Sequence, residues 1–195
     1  MISMKEATLK PFVRENLDIL FVGLNPATIS NQKGHYFSVK QSLWNQLYRS
    51  GLILKEVSKE TADEQIFGDT ALNINQCNFG ITDLVTNIAD SNSKKIKPTE
   101  NECMQLEKNI STYQPKMVII LHSKVIKHFV TKHLKLKKIP ANSGNMGKLL
   151  ANCDTIFYNI AFPHGNSIPD EEKIKRLKNL SQNNTVHDRN IERND

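Results

Sequence analysis

The sequence has no apolar run approaching the roughly 18 residues that a membrane-crossing helix needs, and its opening stretch, MISMKEATLKPFVREN, has no apolar centre of the kind a secretory leader carries. A cytoplasmic location and no membrane contact are the expectations. Cysteine is scarce. Cys77, Cys103 and Cys153 are the only three, none in a CxxC pair, so neither a zinc site nor an iron–sulfur cluster is signalled, and an odd number argues against a disulfide framework. The thiols are expected to be reduced and structural, with no bound metal. Glycine ladders are missing too. The stretch GNMGKLL (144–150) imitates a phosphate-binding loop, but Asn142 stands where its first glycine belongs and Leu149 where its magnesium-binding hydroxyl belongs. No internal repeat is visible.

The chain does have an excess of positive charge, net +6 over 195 residues of which 38% are hydrophobic. That is enough apolar matter for one domain with a core. The positive charge fits an anionic partner, nucleic acid being the usual one. Much of it sits in KKIK (94–97) and in SKVIKHFVTKHLKLKK (123–138). The second stretch also reads as the wet side of an amphipathic helix, because Val125, Ile126, Phe129, Val130 and His133 recur at helical spacing.

Four strand-like runs, 18–24, 79–85, 117–122 and 155–162, alternate with helical patterns. This alternation predicts an α/β fold, a three-layer α/β/α domain with a central, mostly parallel four-stranded sheet. QSLWNQLYRSG puts Leu43, Trp44, Leu47 and Tyr48 on one helical face and stops at Gly51. PTENECMQLEKNISTYQP sets Thr99 and Glu102 in a capping box ahead of Cys103, Leu106, Ile110 and Tyr113. The stretch 55–75 is polar and has no readable periodicity, and 137–154, rich in Pro, Gly and Asn, reads as an exposed irregular loop. A last helix is expected from near Pro169, with Asp170, Glu171 and Glu172 in its first turn and Ile174, Leu177 and Leu180 facing the sheet. The domain is expected to span 1–181, and the polar stretch 182–195 to be a tail with too little apolar matter to order itself.

Two loops at carboxyl ends of strands carry the chemistry, and in parallel sheets such loops converge on one edge. In GLNPATISNQKGHYFS, Asn25 has a carbonyl oxygen that accepts from water and an amide that donates, so it suits the orienting of a nucleophile. Asn-Pro is equally a turn dipeptide whose side chain caps its own loop. Tyr36 and Phe37 offer flat faces for a nucleobase, or else pack on the following helix. In FPHGNS, Pro163 and Gly165 enforce a tight turn that exposes His164, Asn166 and Ser167.

These motifs together resemble the uracil-DNA glycosylase superfamily, most of all its mismatch-specific uracil/thymine-DNA glycosylase branch. FVGLNPA, KGHYFS with LWNQLYRSGL, FGITDLV, YQPKMVIIL and FPHGNS fall in family order across roughly residues 17–180. The resemblance implies monofunctional, cofactor-free hydrolysis of the N-glycosidic bond of a flipped base in duplex DNA, leaving an abasic site for base excision repair. It implies a monomer working on double-stranded DNA in the cytosol, where the nucleoid lies. Asn25 would hold the attacking water, and His164 would act at the base carbonyl. Phe37 would stack on the base, with Leu24, Tyr36 and Asp83 around it. Pro163, Gly165, Asn166 and Ser167 would form the loop pressed into the duplex, Asn166 standing at the wedge.

Three residues depart from the family pattern. Phe162 stands where relatives have a polar residue before the proline, Asp83 where they often have Asn or Lys, and Asn166 where leucine makes a better wedge. A carboxylate at Asp83 repels a carbonyl oxygen such as O4 of uracil. Two alternatives follow, excision of another deaminated base, hypoxanthine or xanthine, and a catalytically silent relative that only binds DNA; a third is a small-molecule nucleotide-binding protein in which the +6 charge is incidental.

Overall fold

The computed structural model describes residues 5–182. At its centre four parallel strands stand where the apolar runs placed them: β2 (Ile19–Gly23), β3 (Phe79–Asp83), β5 (Met117–Ile120) and β7 (Ile156–Asn159). Every residue of β2, β3 and β5 is buried, which is why they read as continuous apolar runs rather than alternating ones. A short antiparallel ribbon joins β1 (Lys5–Glu6) to β4 (Ile88–Ala89).

The three-layer α/β reading holds, but the sheet has a fifth strand. β6 (Gly144–Lys148) runs antiparallel to β7 and gives the order β3-β2-β5-β7-β6. It lies inside the stretch expected to be an irregular loop. An edge strand takes hydrogen bonds from one side only and needs no apolar alternation. This one is interrupted by an irregularity between Asn145 and Gly147, and both of its glycines have positive φ.

One sheet face packs Ile19, Phe21, Phe79, Ile81 and Ile119 under α2 (Ser42–Arg49) and α6 (Asp170–Gln182). The other packs Leu20, Val22, Val118, Ile120 and Phe157 under α4 (Glu100–Tyr113) and the helix after β5. In α2, Leu43, Trp44 and Leu47 are buried as expected, while Tyr48 is 40% exposed and Gln46 takes the buried place. The capping box forms as read, with Thr99 N donating to Glu102 and Glu102 N to Thr99 Oγ1. Ile174, Leu177 and Leu180 of α6 are buried.

The helix after β5 begins as α5 (Ser123–Val125) and widens into a π-helical stretch, Ile126–His133. It buries Ile126, Phe129 and Val130, so the amphipathic reading of that segment is correct. Upstream, α1 is Thr28–Lys33; the stretch 55–75, which has no readable periodicity, contains α3 (Ala62–Ile66) and leads into a single 3₁₀ turn, Ile74–Gln76. Its shape is set by buried Asn73, whose Nδ2 donates to Ile66 O and Cys77 O at 2.9 and 2.8 Å. All three cysteines are buried free thiols. Among the described residues there is no helix long and apolar enough to cross a membrane and no cluster suited to a metal ion. The expected polar tail lies outside the described residues beyond Gln182.

Candidate active site

The strand order places the loops after β3, β2, β5 and β7 side by side along the carboxyl edge of the sheet. Asn25 leads the β2 loop. Its Nδ2 donates to Pro26 O (3.0 Å), Asp90 O (2.9 Å) and Ile88 O (3.3 Å), so the side chain does cap its own loop. Two amide hydrogens committed to backbone carbonyls fix which way the group faces. Among the described residues nothing donates to Oδ1, which is left as the working acceptor.

Residues 35–37 are shaped by Asp63 of α3. Its buried carboxylate takes the Tyr36 backbone N–H at 2.7 Å and His35 Nδ1 at 2.9 Å. Tyr36 thereby differs from its expected role as an open stacking face: it is 4% exposed and meets Phe12 edge-on at 6.4 Å. Burial, then Asp83 and Asp63, push its phenol upward, so it stays neutral. Phe37 is half-buried with a left-handed φ of 50°. Its ring lies edge-on to Trp44 at 6.3 Å and 5.9 Å from Phe162, and Trp44 Nε1 donates to its carbonyl at 3.3 Å.

Phe162 links the loops. Besides Phe37 it meets His122 at 5.7 Å and His164 at 5.0 Å, both edge-on. The expected loss of a polar group here is therefore an aromatic joint between the β2, β5 and β7 loops. His122 Nδ1 accepts from Lys124 N at 3.0 Å, which puts its proton on Nε2. Burial and then Lys124 lower its pKa to about 4. His164 is held neutral as well, lowered by burial first and then by Lys40 and Lys173 against an opposing Asp170, and its Nδ1 is buried without a partner.

The turn that follows is braced from below. The carbonyl of buried Pro163 accepts from Gln46 Nε2 (2.9 Å) and from Nζ of Lys173 (3.2 Å), and both donors also reach Asp170. Gly165, at φ 72°, Asn166 and Ser167 form the exposed tip. Asn166 folds inward rather than standing as a free wedge, its Nδ2 donating to Phe162 O (2.7 Å) and His164 O (3.2 Å). Leu24 is also placed differently from its expected position beside a base. Its side chain belongs to the core under α4, and its carbonyl accepts from Val85 N.

Asp83 closes the floor at the end of β3, paired in register with Gly23. A Cβ on Gly23 would lie 2.2 Å from Asp83 Oδ1, so the bare glycine is what lets the carboxyl lie across β2. Its Oδ2 is buried and unpartnered, and burial raises its pKa to about 7.

A family model described as the uracil DNA glycosylase superfamily matches residues 10–180. The chain belongs to that superfamily. Its members are DNA glycosylases, hydrolases that act on DNA. No curated protein matches the chain. Of the residues that meet at this edge of the sheet, sequence reasoning missed Asp63, His122, Gln46 and Lys173. The capping role of His122 left no mark in the sequence, because the residue simply ends an apolar strand. Asp63 sits in the one stretch with no periodicity, while a polar Gln46 amid the buried face of α2 was the signal that could have been used.

Proposed function

We propose that this chain excises uracil from G·U mismatches in double-stranded DNA as a monofunctional glycosylase, a cytoplasmic monomer serving base excision repair. The observation that carries this reading is the clamped Asn25 amide, whose acceptor oxygen is presented at the sheet edge in one fixed orientation. That oxygen holds a water by its hydrogen and turns the water's lone pair toward C1′ of the extruded nucleotide. An amide is no base, so attack follows departure. The C1′–N1 bond breaks with its electron pair going to the uracil ring, the water oxygen bonds C1′, and the proton leaves to solvent. Neutral His164 supplies an N–H to a base carbonyl as negative charge grows there.

Phe37 stacks on the base from one side only. Its 5.9 Å separation from Phe162 is short of the roughly 7 Å that two ring contacts of about 3.5 Å each would require. A mispaired base costs least to extrude, which favours G·U over A·U. The braced tip Gly165–Ser167 meets the duplex as a stiff polar turn.

The test is incubation of excess protein with labelled duplexes carrying G·U, A·U, G·T, hypoxanthine or xanthine, followed by alkaline cleavage of abasic sites. Cleavage at G·U is expected, falling about 10²- to 10³-fold in Asn25→Ala. Cleavage of the purine lesions alone would replace this reading with the altered base choice that Asp83 favours. Salt-sensitive binding without any cleavage would replace it with a silent DNA-binding protein.

A further inference from the structure

A buried carboxyl with an unpartnered oxygen is rare, because a polar group taken from water without a partner is destabilising and a stranded charge more so. Asp83 is 7% exposed and Oδ2 has no partner, yet its place is not accidental. It stands at the mouth of the sheet, on the same face as Phe79 and Ile81, and Gly23 is cut away to make room for it. The titratable group that faces it is Tyr36 from the β2 loop, and behind that ring lies Asp63 of α3, already committed to His35 and the Tyr36 amide. From β2 it meets Gly23, which does not titrate.

We infer that Asp83 reads the extruded base through its own proton. As a neutral acid it offers one O–H donor and one carbonyl acceptor, matching O4 and N3–H of uracil; as a carboxylate it offers acceptors only and repels O4. This rests on the uracil reading above and adds a pH gate to it. Burial sets the gate near neutrality by lifting the carboxyl to about 7. A protonated acid then does what an amide does, but reversibly, and the unpartnered oxygen is hydrogen-bonding capacity that no protein group uses.

Single-turnover excision from a G·U duplex is measured from pH 5.5 to 8.5 for the full chain and for Asp83→Asn, whose amide is a permanent donor–acceptor pair. In parallel, ¹³C NMR follows the carboxyl signal that the variant lacks. The ratio of wild-type to variant rate is expected to fall about tenfold between pH 6 and pH 8, and the missing signal to titrate near 7. A ratio flat with pH, or a signal titrating in the ordinary carboxylate range, overturns the gate while leaving uracil excision standing. Absence of uracil excision by either protein at every pH, with the signal still titrating near 7, instead overturns the glycosylase reading and the base-reading role with it.

Discussion

Phe37 holds a left-handed backbone that costs a non-glycine residue about 1–2 kcal/mol. Such strain persists only where the surroundings over-determine it, and here Trp44 grips both the ring and the carbonyl. If the strained ring serves as a stacking platform, Phe37→Ala lowers single-turnover excision about ten- to a hundredfold, the worth of one base–aromatic contact, and changes affinity for undamaged duplex less than about twofold. Equal losses in both measurements would make the ring mere packing. At this scale the sequence was informative where a residue type is unusual for its place. An amide after a strand and two rings beside a glycine are visible without a structure. Tyr36 and Phe37 nonetheless looked interchangeable, and only the reach of Asp63 from a distant helix decides which ring is buried.

Between elements, the contact of α4 with the π-helical stretch turns on His133, whose Nδ1 pairs with Glu100 and whose Nε2 pairs with Glu107 at 2.7 Å. Burial alone would lower its pKa, but the two carboxylates outweigh burial and raise it above the ordinary 6.5. A raised folded-state value means that this contact stabilises fully below about pH 6.5 and is lost as pH climbs through the folded value. Melting temperature is therefore expected to fall between pH 6 and 8, with a visibly smaller fall in His133→Gln. A fall of the same size in the variant would remove His133 from the account. The helices and central strands were legible because they bury apolar stripes or runs. β6 and the 55–75 stretch were not, because an edge strand and a turn held by Asn73 rest on backbone pairing and side-chain amides, which leave no periodic trace.

Across the whole molecule, part of the positive charge behind the net +6 acquires a location. A groove of about 540 Å³ opens beside Ser123 and Asn159, at the carboxyl ends of β5 and β7, and Lys127, Lys132 and Lys138 line it. Lys124 in the same wall is already spent on the carbonyls of Ser93, Lys94 and Ile96. If the three free lysines meet phosphates, Lys127→Glu with Lys138→Glu weakens duplex binding and lowers the slope of log affinity against log salt by about 2, roughly one per lost contact. An unchanged slope would assign the lysines to solvation. Charge content was readable from composition alone. That Lys127, Lys132 and Lys138 line a groove on the edge that also bears Asn25 follows from strand order, which no local pattern encodes.

The ribbon at the front of the chain links that edge to a remote part of the sequence. Ile88, whose carbonyl helps to hold the Asn25 amide, stands opposite Glu6 in the two-stranded ribbon, and Ala7 N donates to Asn87 O at 3.1 Å. Trimming the chain up to Thr8, or fusing a bulky affinity handle just ahead of it, would thus loosen the clamped Asn25 amide from a distant part of the primary structure. A purification handle is better attached at the other terminus.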